Sequence, residues 1–339
     1  MLRLVSEISF YDGNSTTLKT KFTFVNEVEI VSTWDQLTDT CKITIPRKIE
    51  YQDKNIAVGA NAVFNRGDKV VVKLGYDDNL KTRFIGYIQR VELKLPLVIY
   101  CEDSMSLLKK KTLSKKTYSS VKTSQLIKDI VGSNYEVVAD QTLGQFIINE
   151  GVTVVEVLDY LKKNHKIVSF YRNDKLYVGL PYIDKLATSH IFDVNKNIIE
   201  NNLVYKKEED FKIKIRATSV QQVIEGGKSK EKKITVWHPS EQTVGSVRDY
   251  KASMNLDNDA LLKEAKDFYN TLVFDGYTGS ILTFGSPLVQ HGDYITVKST
   301  EIPEQNDDQY LIKEVKTTFG MGGYRQTLEF AGKVGVNNK

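Results

Sequence analysis

Short runs in which apolar and polar residues alternate recur along most of this chain, and they constrain its fold more than any other feature. Successive side chains of a strand point to opposite faces of a sheet, so a period of two is typical of strands with one buried face. The first region contains five such runs, over 22–30, 41–45, 69–74, 83–91 and 97–101. Because the turn signals Gly67-Asp68 and Gly75-Tyr76-Asp77-Asp78-Asn79 separate them, we predict a β-barrel or sandwich over residues 1–103.

The pattern changes at Ser104, where we predict a domain boundary. Ser104 is a predicted N-cap for a short helix, and a lysine-rich connector over 109–116 follows. Longer helices are predicted over 123–131 and 153–164, the second of which starts with the capping box Thr153-Val154-Val155-Glu156. A hairpin is predicted around Arg172-Asn173-Asp174, from strands over 167–171 and 175–179. Together they predict a small α+β domain over 104–185.

Strand patterns return after residue 185, including 211–217 and 234–237. One helix, over about 257–272, interrupts them, and its apolar residues fall on one face that needs a sheet to cover: Leu261, Leu262, Ala265, Phe268, Tyr269 and Leu272. We therefore predict a second β-barrel domain over 186–339. The predicted fold class is mainly β, with two similar β-barrel domains flanking a small α+β domain.

Two distant segments share one local pattern, Gly-Asp-x-apolar-x-Val-Lys. They are Gly67-Asp68-Lys69-Val70-Val71-Val72-Lys73 and Gly292-Asp293-Tyr294-Ile295-Thr296-Val297-Lys298. Glycine permits a tight turn and the aspartate side chain can accept hydrogen bonds from nearby backbone, so Gly67, Asp68, Gly292 and Asp293 are predicted structural turn residues. Two unrelated β-turns would also give this pattern. We favour two copies of one β-domain, because three such chains would present six equivalent modules in a ring.

Composition excludes several classes of protein. The chain has 47 Lys and Arg against 43 Asp and Glu, and its net charge of +4 gives no general reason to expect nucleic acid or a membrane as partner. Its N-terminus alternates in polarity and lacks the apolar stretch of a secretory signal, so we expect a cytosolic protein at synthesis, without a membrane anchor. Cys41 and Cys101 are expected to be buried as small apolar residues, although a bond between them stays open.

No motif for catalysis, for a cofactor or for a metal ion is present, so we predict no catalytic, cofactor-binding or metal-binding residue. The four histidines lie far apart in sequence: His165, His190, His238 and His291. The neighbouring acids Glu102-Asp103, Glu208-Glu209-Asp210 and Asp307-Asp308 could suggest a glycosidase. That chemistry needs two carboxylates facing each other across a cleft, and we expect solvated loop acids instead.

Two basic clusters remain. The first comprises Lys109 to Lys111 with Lys115 and Lys116, and the second comprises Lys228, Lys230, Lys232 and Lys233 after Gly226-Gly227. A solvated linker and an exposed hairpin tip explain them structurally. As a functional hypothesis, the second cluster docks onto an acidic neighbour, because spaced lysines steer association. Nucleic-acid binding is less favoured, since neither cluster has interleaved aromatic residues that could stack on bases.

Three stretches resemble the baseplate hub proteins of contractile phage tails, a group that includes late control protein D, PBSX-type prophage hubs and the hub portion of type VI secretion VgrG. The first combines Gly67-Asp68-Lys69-Val70, Phe84-Ile85-Gly86-Tyr87-Ile88 and Tyr100-Cys101-Glu102-Asp103. The second is the helix and hairpin over 153–182. The third runs from the helix at Asp257 through Gly276-Tyr277-Thr278-Gly279-Ser280 and Phe284-Gly285-Ser286-Pro287 to Phe319-Gly320-Met321-Gly322-Gly323-Tyr324.

This resemblance implies a homotrimer in which two tube domains per chain form a pseudo-sixfold ring between a hexameric tail tube and a trimeric spike. It implies the tail tube protein and other baseplate proteins as partners, with DNA able to pass through the lumen without specific binding. Unlike VgrG, the sequence has no long C-terminal needle after the second tube domain, so a separate spike protein is expected. The protein would assemble in the bacterial cytoplasm and then form part of a virion tail or injection-particle baseplate.

Two other functions stay open at this stage. The chain could be the hub-like portion of a tail-associated cell-wall hydrolase, although no catalytic module is visible in it. It could also be a β-protein that binds carbohydrate or nucleic acid, which its 18 tyrosines and the lysine-rich hairpin suggest.

Overall fold

A computed structural model describes residues 3–46, 48–51, 54–57, 64–92, 94, 96–180, 183, 186–225, 228–252, 255–300 and 308–334. Most of these residues lie in strands, so the predicted mainly β fold class is confirmed. The closure of each predicted β-domain into a barrel stays a prediction. None of the helices in the described ranges has both the length and the apolar character needed to cross a membrane.

The elements of the first part are strands β1 (Leu4–Tyr11), β2 (Leu18–Phe22), β3 (Glu27–Thr33), β4 (Thr40–Ile45), β5 (Lys48–Tyr51), β6 (Lys54–Ala57), β7 (Lys69–Tyr76), β8 (Asn79–Glu92) and β9 (Leu97–Glu102). The predicted single run over 22–30 is wrong: it divides into β2 and β3, which lie far apart in the sheet order. Residues 23–26 connect β2, at one end of the sheet order, to β3, in its middle. Local alternation of polarity cannot reveal this change of position.

The middle part contains α1 (Met105–Leu108), β10 (Lys116–Lys122), α2 (Thr123–Val131), β11 (Tyr135–Val137), β12 (Thr142–Ile148), α3 (Val154–His165), β13 (Val168–Arg172) and β14 (Lys175–Gly179). The predicted capping box is confirmed, because Thr153 accepts from the Glu156 N–H and Glu156 accepts from the Thr153 N–H. Ser104 is the N-cap residue of α1, as predicted, but its side chain does not cap the helix: the Met105 N–H donates to Asp103 Oδ1 at 3.0 Å, and Ser104 hydrogen-bonds to Asp174.

The last part contains β15 (Ser189–Asp193), β16 (Ile198–Lys206), a short 3₁₀ helix (Glu208–Asp210), β17 (Ile213–Glu225), β18 (Lys228–His238), β19 (Ser246–Lys251), α4 (Asn258–Leu272), β20 (Gly276–Phe284), β21 (Tyr294–Lys298), β22 (Gln309–Gly320) and β23 (Gly323–Lys333). The predicted sheet partner of the helix is present. α4 packs on one face of the β18-β17-β19 sheet through Leu261 and Ala265 against Ile215 and Ala217.

Two groups of five strands have the same topology. Unit 1 consists of β3, β4, β7, β8 and β9, and unit 2 consists of β16, β20, β21, β22 and β23. In both units the strands lie in the order first, second, fifth, fourth and third, and every neighbouring pair is antiparallel. The outer neighbours differ, since β1 is antiparallel to β7 whereas β15 is parallel to β21.

The two units also share a bulge in the fourth strand. In β8 the register shifts between Ile88 and Arg90, and in β22 it shifts between Ile312 and Glu314. An extra residue at a bulge bends a strand and increases its twist. The shared bulge therefore gives both units a bend at the same place, directly after Ile88 and Ile312, whose backbone groups hydrogen-bond to the Gly-Asp turns.

Each region has an apolar core, although Phe319 and Tyr324 of unit 2 also pack in the core of unit 1. The core of unit 1 includes Ile43 and Ile99, and the corresponding residues of unit 2, Ile281 and Leu328, are also fully buried. The middle region packs α2 and α3 over its own core, which includes Leu126 and Leu158. Separate cores are what independently packed domains would have, but the boundaries at 103 and 185 stay predictions.

Candidate assembly interface

The two predicted turns have nearly identical hydrogen bonding. Asp68 Oδ2 accepts from the Asn65 N–H at 2.9 Å, and Asp293 Oδ2 accepts from the Gln290 N–H at 2.8 Å. Both aspartates are 2% exposed. Each carboxylate therefore closes the turn that precedes its strand, as the Gly-Asp pattern predicts for both places.

A second set of contacts attaches each turn to a neighbouring segment. Asp68 Oδ1 accepts from the Gly13 N–H and Asp293 Oδ1 from the Thr188 N–H, both at 3.1 Å. Gly67 (φ 92°) donates its N–H to Ile88 O at 2.8 Å, and Gly292 (φ 83°) donates to Ile312 O at 2.7 Å. Both glycines have positive φ, which costs glycine nothing and other residues a strained backbone. The shared bonds are more than two unrelated β-turns would produce.

The side chain that contacts the carboxylate differs between the two units. In unit 1, Lys19 Nζ lies 2.9 Å from Asp68 Oδ2 and 3.1 Å from Asp12 Oδ1. In unit 2, His190 Nε2 lies 3.2 Å from Asp293 Oδ2, with both side chains buried. The sequence pattern gave no signal for either partner, because both come from segments distant in sequence.

Units 1 and 2 join edge to edge through β3 and β22. The pairing runs from Thr33 opposite Glu314 to Glu27 opposite Gly320, and it makes the two units one continuous sheet. Pairing of this kind satisfies backbone N–H and C=O groups that would otherwise form an exposed edge. The interface between the units is therefore built from main chain as well as side chains.

Side chains from β7 and β8 reinforce this junction. Arg83 Nη2 donates to Gly285 O at 2.7 Å and to Gln326 Oε1 at 3.2 Å, and its Nε donates to the hydroxyl of Tyr324. Tyr76 donates its hydroxyl to Tyr324 O at 2.8 Å. Tyr324 and Gln326 are almost completely buried, so these bonds hold a charged group of unit 1 against the interior of unit 2.

A small polar cavity of about 70 Å³ lies where unit 1, the middle region and unit 2 meet. Its walls include Asp39, Asp103, Arg172 and His291. Arg172, on β13, donates to the backbone oxygen of His291 and thereby ties the middle region to unit 2. The burial of Asp103, which is 5% exposed, corrects the prediction that Glu102-Asp103 are solvated loop acids.

Burial shifts the titration of the groups around this cavity. It raises the pKa of Asp39 to about 7 and raises the pKa of Asp103 well above its ordinary value. Burial, together with the nearby Arg172 charge, lowers the pKa of His291 to about 3, so this imidazole is neutral at physiological pH. Burial therefore makes the ionised forms of Asp39 and Asp103 unfavourable relative to the protonated forms.

We predict that Asp39→Asn stabilises the protein more at pH 8 than at pH 5. The pKa of the Asp39 carboxyl is 3.8 in the unfolded chain and about 7 in the folded protein. Its ionisation therefore opposes folding more strongly as the pH rises between these two values. The advantage of the variant should grow by about 3 kcal/mol between pH 5 and pH 8. Urea unfolding at both pH values measures it. Asp78→Asn, at a fully exposed side chain, is the control, and an advantage independent of pH would contradict the prediction.

The first strand of unit 2 has an open edge. In the described residues β16 pairs with β20 on one side and has no strand on the other. Its exposed residues include the apolar Ile199 and Val204, at 40% and 58%. The corresponding first strand of unit 1, β3, has its second edge covered by β22. Unit 2 therefore leaves uncovered the edge that unit 1 has covered.

The lysines, cysteines and acidic residues singled out in the sequence lie in different parts of the structure. Lys230, Lys232 and Lys233 are exposed on β18, and the side chain of Lys228 lies outside the described residues. Cys41 and Cys101 are directly opposite each other on β4 and β9, and both are buried free thiols. Glu208, Glu209 and Asp210 are exposed, as predicted, and Asp307 lies outside the described residues.

The histidines form no common site in the part of the chain that the structure describes. His165 ends α3 and His238 packs on Tyr269, and burial lowers the pKa of both. His190 and His291 both flank the turn of unit 2, which their sequence spacing did not predict. Across the described ranges, no group of three or more His, Cys, Asp and Glu side chains is arranged to hold a metal ion.

Comparison with solved structures identifies the fold. A tail protein from Neisseria meningitidis superposes with a TM-score of 0.65 at 14% identity, covering 98% of both chains. The 43 kDa tail protein of prophage MuSo2 from Shewanella oneidensis gives 0.63 at 12% identity, covering 96% of this chain and 98% of that one. An E. coli component of the type VI secretion system gives 0.54 at 10% identity, covering 99% and 75%.

No protein-family model matches the sequence, and no curated protein is similar to it in sequence. The chain therefore has the fold of phage tail proteins and of a type VI secretion component. The resemblance to phage baseplate hubs predicted from the sequence motifs is confirmed at the level of the fold.

Proposed function

We propose that this chain is the structural baseplate hub of a contractile phage-tail-like machine. Three copies form a ring that joins the hexameric tail tube to a separate trimeric spike, and other baseplate proteins dock around it. Its function lies in shape, symmetry and interfaces, without catalytic turnover, and DNA passes through the ring without specific binding. In this proposal residues 1–103 and 186–339 are the two tube domains, and 104–185 is the small domain between them.

The observation that carries this proposal is the shared topology of units 1 and 2. A hexameric tube offers six equivalent positions, whereas a trimeric spike offers three. A chain that contains two similar units, unit 1 and unit 2, can match both symmetries, because three copies of the chain supply six similar modules. The common strand order, bulge and turn hydrogen bonds support the similarity that this arrangement requires.

The covered and open edges indicate how copies would join. Within one chain, the first strand of unit 1 (β3) pairs with the fourth strand of unit 2 (β22), beyond the bulge. The equivalent pairing between copies would bring the first strand of unit 2 (β16) to the fourth strand of unit 1 (β8), again beyond the bulge. On that side, residues 89–92 of β8 have no strand partner among the described residues. Repeating this pairing closes a ring in which the edge of every β16 is covered.

Light scattering on the purified protein tests this arrangement. We expect a mass of three subunits for the native chain and of one subunit for Val204→Lys, because a charge on an edge strand opposes edge-to-edge pairing. The matched control is Val244→Lys, at a residue that is 86% exposed and away from β16, which should keep the mass of three subunits.

Three results would count against the hub. If the native chain has the mass of one subunit, or if Val204→Lys leaves a larger mass unchanged, β16 is not the assembling edge. A clearing band in a peptidoglycan zymogram would contradict a purely structural role. Electron micrographs of the native protein should show rings, and their absence would agree with the first outcome.

A further inference from the structure

Unit 2 carries an insertion that unit 1 lacks. The first and second strands of unit 1, β3 and β4, are joined by residues 34–39 alone. In unit 2 the same connection, from β16 to β20, contains β17, β18, β19 and α4. Because unit 1 keeps the common topology without such a segment, the insertion is not required for the strand order of the unit. It is therefore a candidate for a separate interaction.

The sheet of this insertion is positively charged, whereas the segments before and after the sheet, which include α4, are acidic, so the insertion as a whole, residues 207–275, has no net charge. Residues 211–252 contain nine Lys and Arg against four Asp and Glu, a net charge of +5. The whole chain carries +4, so the remainder has a net charge of −1. Electrostatic attraction of an acidic partner would therefore be directed to this sheet, although the chain as a whole is nearly neutral.

The sheet has one face covered and one face open. Residues directly opposite on paired strands share a face, and Arg216 is opposite both Trp237 and Asp249, while Lys214 is opposite Val247. These residues lie on the side away from α4, since the intervening Ile215 and Ala217 pack against that helix. We name this side the open face.

The open face has an aromatic and apolar centre with cations around it. Lys214 Nζ lies 5.3 Å and Arg216 Cζ 5.8 Å from the ring of Trp237. Val247 is 42% exposed, and Val244 in the preceding loop is 86% exposed. Lys233 is opposite Val220, so it lies on this face as well. Protein–protein interfaces commonly have tryptophan and arginine at their centre and charged residues at their rim. The open face has this composition.

We propose that the open face is a docking surface for a polypeptide that is acidic at its rim and apolar at its centre. A nucleic acid fits less well, because the Arg216 guanidinium is occupied by Asp249 at 2.5 and 2.9 Å and this carboxylate would repel a phosphate. The exposed valines also have no role in phosphate binding. The lysines of β18 extend the positive field beyond the face. This inference does not depend on the trimeric ring.

Fluorescence anisotropy with a labelled synthetic peptide tests this surface. The peptide consists of glutamates around a central pair of leucines, and single-stranded oligothymidylate of equal charge is the comparison. We expect the full-length chain to bind the peptide more tightly than the oligonucleotide, with a loss of about tenfold in affinity for Lys214→Glu with Lys233→Glu. The matched control reverses two exposed lysines of the connector, Lys110→Glu with Lys115→Glu, and should bind as the native chain does.

Three outcomes would overturn the proposal. The native chain does not bind the peptide, or both double variants lose affinity equally, so that only overall charge matters. In the third outcome the oligonucleotide binds more tightly and the open-face variant loses that binding, which would make the surface a nucleic-acid site. A circular dichroism spectrum equal to that of the native chain verifies that each variant is folded.

Discussion

Replacing Asp68 with alanine is expected to lower the free energy of unfolding by about 3 kcal/mol. Its carboxylate is buried and accepts from the N–H groups of Gly13 and Asn65 and from the Lys19 ammonium. Alanine leaves both N–H groups without their acceptor and removes one of the two carboxylates beside Lys19. Guanidinium unfolding followed by circular dichroism measures the change.

The matched variants decide whether the two turns are equivalent. Asp293→Ala removes the acceptor of Thr188 and Gln290 and the partner of His190, so we expect a loss of similar size. Asp78→Ala, at a fully exposed side chain with a single ion pair to Arg3 at 3.7 Å, should change stability by less than about 0.5 kcal/mol. If Asp68→Ala is as mild as Asp78→Ala, the turn does not support unit 1.

Gly86→Ala is expected to destabilise unit 1 by about 3 kcal/mol. Gly86 is the glycine of the Phe84-Ile85-Gly86-Tyr87-Ile88 motif. A Cβ at this position would overlap the backbone oxygen of Glu102 and lie 2.5 Å from a ring carbon of Phe84. The backbone of β9 cannot move aside without breaking its pairing with β4 and β8. Thermal unfolding of the purified variant tests this expectation.

A second glycine provides the control for this substitution. Gly322 lies in the turn between β22 and β23, and a Cβ there would meet no atom within 4 Å. Gly322→Ala should therefore unfold within a degree or so of the native chain, on the order of 0.5 kcal/mol or less. Equal effects of the two substitutions would mean that the close approach of β9 does not require a glycine at position 86.

Features that depend on neighbouring residues were predictable from sequence. The helix over 123–131, the capping box at Thr153 and the hairpin around Asn173 are present at the predicted places. Each is determined by hydrogen bonds or apolar spacing within a few residues. The two Gly-Asp turns belong to the same class, because their glycine conformation and the bonds of Asp68 to Asn65 and of Asp293 to Gln290 are local.

Errors arose where distant contacts override a local pattern. The run over 22–30 alternates throughout, yet its two halves occupy different positions in the sheet. Ser104 occupies the predicted N-cap position, but its hydroxyl hydrogen-bonds to Asp174 from the hairpin turn and does not cap the helix. The sequence did not predict that Trp237 is part of a basic surface, because Lys214 and Arg216, which contact its ring, lie on another strand.

The sequence by itself determined that this chain is mainly β, where its helices begin and which two turns resemble each other, because these properties follow from alternation, capping and turn chemistry over a few residues. Only the tertiary structure decided that β22 pairs with β3, that β16 keeps an open edge and that Arg83 and Arg172 bridge separate regions. The physical reason is that every strand edge offers the same N–H and C=O groups. The choice between edges depends on packing summed over the whole molecule, which no local segment contains.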